Sequence, residues 1–198
     1  MTILALGDSY TIGESVLLQD NFPYQAVHML RNDGYPFMPP EIIAKTGWAT
    51  DELQTAINKH KFLPRYDFVT LLIGVNNQYR GRTVENYKPE FESLLKQAIR
   101  FAGNEPKHVF VLSIPDWGVT PFAEGRNRNQ IANEIDDYNA VNKTIAQHYK
   151  VNYIDITPGT REAAKDPTLL APDGLHPSAK DYNRWAVLLA NKIKTVFQ

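Results

Sequence analysis

The sequence predicts an α/β protein, a three-layer α/β/α sandwich built on a five-stranded parallel sheet. Three observations carry this: short apolar runs that stop at glycine or proline, amphipathic helical stripes between them, and an unbroken alternation of the two from end to end. The first run, Ile3-Leu4-Ala5-Leu6, stops at Gly7. The second, Glu41-Ile42-Ile43-Ala44-Lys45, stops before Gly47, and the third, residues 68–73, stops at Gly74. Val109-Phe110-Val111-Leu112 ends near Pro115, and Val151-Asn152-Tyr153-Ile154-Asp155 ends near Pro158. The first, third and fourth are apolar throughout, as strands covered on both faces of a parallel sheet should be.

Helical patterns fill the intervals. Thr50 followed by Asp51 and Glu52 opens one helix, with both acids at its positive end. Pro89 is expected in the first turn of a helix that ends near Phe101. Ile131, Ile135, Tyr138, Val141 and Ile145 recur at steps of three and four, a single stripe on a helix over roughly 129–149. Tyr182, Trp185, Leu189, Ile193 and Val196 repeat the pattern at the C-terminus, and Ser178 after Pro177 is a good N-cap for that helix. Strands alternating with helices imply right-handed crossovers, and five of them fit a flavodoxin-like order, 2-1-3-4-5, which periodicity alone does not fix. With no repeat, linker or composition shift, the 198 residues are expected to form one domain over residues 1–198.

The composition excludes several functions. Lys and Arg number 21 against 22 Asp and Glu, a formal net charge of −1, which argues against nucleic acid or an acidic membrane held by bulk charge. Hydrophobic residues make up 43% and charged residues 22%, so the chain can bury a core. With no cysteine, disulfides, thiolate metal sites and a cysteine nucleophile are all removed. No apolar run approaches the roughly 20 residues of a membrane span. Met1-Thr2 leads straight into an apolar strand without a basic leader, so no secretory signal is expected in this chain.

In a parallel sheet, chemistry collects outside the C-terminal ends of the strands. There the sequence places Gly7-Asp8-Ser9-Tyr10, Gly47-Trp48-Ala49-Thr50 and Gly74-Val75-Asn76-Asn77, with Asp173-Gly174-Leu175-His176-Pro177 just before the last helix. A serine hydroxyl is a poor nucleophile until a base takes its proton, and imidazole is poised to do so near neutral pH. The imidazole needs an acceptor to fix its tautomer, and Asp173, three residues before His176, can reach the same ring. Attack on an ester carbonyl creates an oxyanion, for which the amides of Ser9 and Gly47 and the side chain of Asn76 are the available donors.

These pieces resemble the SGNH (GDSL) hydrolase family, in the family's order. Gly7-Asp8-Ser9 matches its first block, Gly47 the glycine of its second, Gly74-Val75-Asn76 the G-x-N of its third, and Asp173-Gly174-Leu175-His176 the D-x-x-H of its fifth. The resemblance spans residues 4 to 178. It implies a cofactor-free and metal-free serine esterase with Ser9, His176 and Asp173 as catalytic residues, an oxyanion hole from Ser9, Gly47 and Asn76, and a small ester as substrate. One position departs: Asn77 stands where the third block has aspartate, a supporting residue in the family, which puts local loop anchoring in question rather than hydrolysis.

Plainer readings exist for each residue. Ser9 is also a natural helix cap, Asn76 a turn former, and Gly47 and Gly74 suit tight bends. Asp8 reads as structural, since a carboxylate facing the nucleophile would oppose an oxyanion. His28, His60, His108 and His148 also read as structural. A phosphate or FMN loop at residues 9–13 is disfavoured, because residues 1–30 hold Asp8, Glu14 and Asp20 and no Lys or Arg. A non-catalytic carbohydrate-binding relative would need no base at position 176. Tyr79, Trp117 and Phe122 read either as walls of an acyl or sugar pocket or as a seal on the open end of the sheet. With no lid visible, a short acyl group on a sugar or small alcohol fits better than a long-chain lipid.

Overall fold

The computed structural model describes residues 1–197. In chain order its elements are β1 (Ile3–Gly7), α1 (Ser9–Ile12), α2 (Phe22–Asn32), β2 (Glu41–Ala44), α3 (Thr50–Lys59), β3 (Phe68–Leu72), α4 (Val75–Tyr79), α5 (Val84–Phe101), β4 (Val109–Leu112), α6 (Arg128–His148), β5 (Asn152–Ile154), α7 (Thr157–Thr160) and α8 (Ala179–Thr195). The strands pair in parallel in the order β2-β1-β3-β4-β5, with helices on both faces. Topology explains the residue types. The three central strands are buried at every position, whereas the edge strand β2 is half-buried throughout and begins with Glu41.

α2 packs on α8, and α5 packs on both α3 and α6. One apolar cluster joins the layers, from Leu4, Leu71 and Val111 in the sheet to Phe22 and Trp185 on the helices. Fully burying a side chain of this size stabilises by roughly 1.5–3 kcal/mol, so the strand C-termini rest on a stiff base.

Pro89 corrects the expected start of α5. The helix begins at Val84, with Thr83 capping it by accepting from the Asn86 amide, so Pro89 lies inside it. Tertiary anchoring explains why the lost hydrogen bond is tolerated. Tyr87, two residues before Pro89, is fully buried and its hydroxyl donates to the Ile73 carbonyl (2.9 Å) or the Asn142 side chain (2.7 Å). Ser178 caps α8 through the Asp181 amide as its sequence implies.

Candidate active site

Sheet register brings the signalled segments to one level. Gly7, the last residue of β1, is aligned with Ala44 of β2 on one side and Leu72 of β3 on the other. Ser9, Gly47 and Asn76 follow these three residues within four positions, so they emerge together. Asp8 turns the chain into α1: its Oδ1 accepts from the Tyr10 amide (3.0 Å) and its carbonyl from Thr11 and Ile12. Ser9 is thereby the first residue of α1, and its amide is one that no preceding turn can satisfy.

His176 arrives on the loop before α8. Its Nε2 lies 2.9 Å from Ser9 Oγ and its Nδ1 lies 2.6 Å from Asp173 Oδ2. A carboxylate can only accept, so Nδ1 carries the ring proton and Nε2 is left to accept from the serine hydroxyl. Asp173 is held by its own loop, its Oδ1 accepting from the amides of Leu175 and His176 (3.0 Å each). Burial alone would raise its pKa, but hydrogen bonds from His176, Ser15 and the two amides outweigh it and bring it down to about 2. Asp173 is therefore a fixed negative charge beside the ring. The Tyr10 ring, 5.0 Å from the imidazole, packs against it.

Asp8 sits differently. It is fully buried, its Oδ2 has no partner, and burial raises its pKa to about 7.

On the other side, Gly74 has φ +131°, and a Cβ there would lie 2.7 Å from Ile114 Cδ1 and 2.8 Å from the Tyr87 hydroxyl. Only glycine fits this turn into α4, which carries both asparagines. Asn76, half-buried, donates through Nδ2 to the Trp48 carbonyl (2.9 Å), leaving its second N–H. Asn77 is fully buried: its Oδ1 accepts from the Thr50 amide (3.1 Å) and its Nδ2 donates to Thr50 Oγ1 (2.6 Å), which donates onward to Glu90. Gly47 takes φ +83°, and its carbonyl accepts from Arg80, which also pairs with Glu52 at 3.0 Å. Its amide has no acceptor among the described residues.

Tyr79, Trp117 and Phe122 form one cluster, with ring centroids 5.4–6.1 Å apart. Arg126 stacks over all three and donates to the Tyr79 hydroxyl (3.0 Å). The cluster joins the histidine loop through the Phe122 amide, which donates to the Gly174 carbonyl (3.2 Å). The other four histidines bond elsewhere: His60 to Glu41, His108 to the Asp67 carbonyl and His28 to Asn32, while His148 ends α6.

Sequence reasoning missed Ser15, whose Oγ donates to Asp173 Oδ2 at 2.7 Å. Its one local signal is conformational, a left-handed φ of +64° that no residue type announces. Arg126 and the Thr50–Asn77–Glu90 chain were also missed. Together, a hydroxyl, an imidazole and a carboxylate in one hydrogen-bonded line can move the hydroxyl proton onto the ring as the oxygen attacks. Among the described residues no group of three or more His, Asp or Glu is placed to hold a metal ion, and no helix is long and apolar enough to cross a membrane.

Residues 5–184 match the model of the GDSL-like lipase/acylhydrolase family. No curated protein matches the sequence significantly. Among solved structures, the acetylxylan esterase Axe2 from Geobacillus stearothermophilus superposes with a TM-score of 0.76 at 19% identity, covering 97% of this chain and 93% of that one. TesA gives 0.73 at 17% identity, with 98% and 99% coverage. A lipase/acylhydrolase from Enterococcus faecalis gives 0.73 at 20%, with 98% and 95% coverage.

Proposed function

Because the chain belongs to the GDSL-like lipase/acylhydrolase family and is a carboxylic ester hydrolase, we propose that it cleaves short-acyl esters through an acyl-enzyme on Ser9. The observation that carries this reading is the line from Ser9 Oγ to His176 Nε2 (2.9 Å) and from His176 Nδ1 to Asp173 (2.6 Å). His176 takes the serine proton as Oγ attacks the ester carbon, and Asp173 stabilises the imidazolium that forms. The imidazolium then protonates the departing alcohol, and a water activated by the same ring releases the acid and frees Ser9.

The oxyanion of each tetrahedral intermediate is met by the Ser9 and Gly47 amides and by the free N–H of Asn76. Asn76 is preferred to Asn77 because Asn77 is buried with both ends of its amide engaged by Thr50. Asp8 acts through backbone, setting the turn that presents Ser9. The short acyl group is the expectation for a compact site with no separate lid domain over it.

The test is a series of p-nitrophenyl esters of increasing chain length, combined with mass spectrometry of the quenched enzyme. Acetate and butyrate should turn over fastest, with an acyl adduct on the peptide containing Ser9. Turnover that survives Ser9→Ala, or is abolished by a chelator and restored by zinc, overturns the mechanism.

A further inference from the structure

The turn that follows α1 touches both sides of the candidate site. Gly13 has φ +77° and Ser15 φ +64°, two left-handed residues within three positions. At Gly13 a Cβ would lie 2.5 Å from the Asn21 Cβ, so only glycine fits. Ser15 has no such licence, and a left-handed serine persists only where surrounding contacts hold it. The reversal sends neighbouring side chains to different segments. Ser15 Oγ donates to Asp173 Oδ2 (2.7 Å), while the Glu14 carboxylate accepts from Thr46 Oγ1. The Glu14 amide donates to the Ser9 carbonyl (3.0 Å), which fixes the same turn to the nucleophile's own helix.

Thr46 matters because of the residue after it. The peptide between Thr46 and Gly47 carries the Gly47 amide, so the direction of that N–H depends on how both residues are held. Gly47 has φ +83°, and a Cβ there would meet nothing within 4 Å, so its surroundings are open and its backbone is free to turn. Hydrogen bonds must do the holding. On the far side, Arg80 donates to the Gly47 carbonyl and Asn76 to the Trp48 carbonyl (2.9 Å). On the near side, the Trp48 amide closes a turn on the Lys45 carbonyl (3.2 Å), and the Thr46 hydroxyl ties that turn to Glu14. A carboxylate only accepts, so the hydroxyl is the donor. Glu14 is half-buried and pairs with no cation among the described residues, which leaves its carboxylate to Thr46.

We propose that Glu14 is a positioning residue for ester hydrolysis: through Thr46 it aims the Gly47 amide at the oxyanion, from the same turn that steadies Asp173. The proposal rests on the esterase reading and on Gly47 as an oxyanion donor. Its test combines steady-state kinetics on p-nitrophenyl acetate, with Ser9→Ala as control, and heteronuclear NMR at the Gly47 amide. Glu14→Ala should lower kcat about tenfold with KM unchanged, less than the roughly hundredfold or more of losing a donor outright. Thr46→Val should match it, and serves as the second variant should Glu14→Ala fail to fold. The double variant should be no slower than either single one, since both remove the same hydrogen bond. Glu14→Gln and Thr46→Ser, which keep the acceptor and the hydroxyl, should recover most of the parent rate. The Gly47 resonance should move in Glu14→Ala and stay near its parent position in Glu14→Gln, although Glu14 and Thr46 are 32 residues apart in the chain. Ser9-dependent turnover with an unchanged kcat and an unmoved Gly47 resonance in Glu14→Ala overturns the positioning role and leaves the esterase reading standing. A raised KM at constant kcat, or additive losses in the double variant, also overturns it. Turnover that survives Ser9→Ala overturns the esterase reading, and with it the catalytic role of the tie, even where the Gly47 resonance moves.

Discussion

The two sides of the candidate site are held in opposite ways. Around His176 nearly every polar atom is spent on its neighbour: Ser9, His176, Asp173, Ser15 and the loop amides satisfy one another. Around Gly47 and Asn76 the groups proposed to act on substrate are left open, and structure is imposed from behind. Asn77 ties α4 to Thr50, Thr50 reaches Glu90, and Arg80 grips the Gly47 carbonyl. The difference follows from the chemistry each side is proposed to do. A proton relay works through bonds that already exist, whereas a donor kept for a transient oxyanion loses its value if the resting protein consumes it. The first side is closed by its own members; the second needs an outer layer.

Breaking the paired side should cost most. Ser9→Ala and His176→Ala should each lower kcat by several orders of magnitude, and the double variant should be little worse than either, because the two residues act as one unit. Additive losses would mean that they work independently.

On the open side, Asn76→Ala should cost about 2.7–4 kcal/mol of transition-state stabilisation, seen in kcat more than in KM. Asn77→Ala should be milder in kcat but should destabilise the fold by about 1–3 kcal/mol, since it leaves the buried Thr50 amide without its acceptor. Steady-state kinetics and urea denaturation separate the two effects. If Asn77→Ala is folded yet slower than Asn76→Ala, the oxyanion donor belongs to the other asparagine.

Asp8 is the exception on the paired side, a buried carboxyl with one oxygen unpartnered. Its folded pKa of about 7 lies above the ordinary 3.8, so the native state holds its proton longer than the unfolded chain does. Stability from this group is therefore greatest below about pH 4, falls as the pH rises toward about 7, and is level beyond. Asp8→Asn keeps a capping side chain and removes this dependence. Urea midpoints at pH 5 and pH 8 should drop between the two values in the parent relative to the variant, and parallel behaviour would show that Asp8 does not titrate there. Asp173 acts with the opposite sign: its pKa of about 2 adds stability above about pH 4 that is lost as the pH falls toward 2. The smallest effect is expected from Ser15→Ala, which removes one of four donors to Asp173 and should slow turnover only a few-fold.

What the sequence by itself determined is the alternation of strands and helices, the strand ends where chemistry collects, and the short loop in which Asp173 meets the ring and amide of His176. Each is encoded by neighbours: apolar periodicity over a few residues, or a side chain bonding three positions along the chain. Even the half-polar β2 was visible as a run, although its place at the sheet edge was not. Only the tertiary structure decided that Ser15 supports Asp173 across 158 residues, that Asn77 is sealed under Thr50, that Arg126 covers three rings, and that Tyr87 carries α5 past Pro89. These contacts join distant segments through loops of irregular geometry. No periodicity marks their partners, so they take form only once the sheet register has brought the strand ends level.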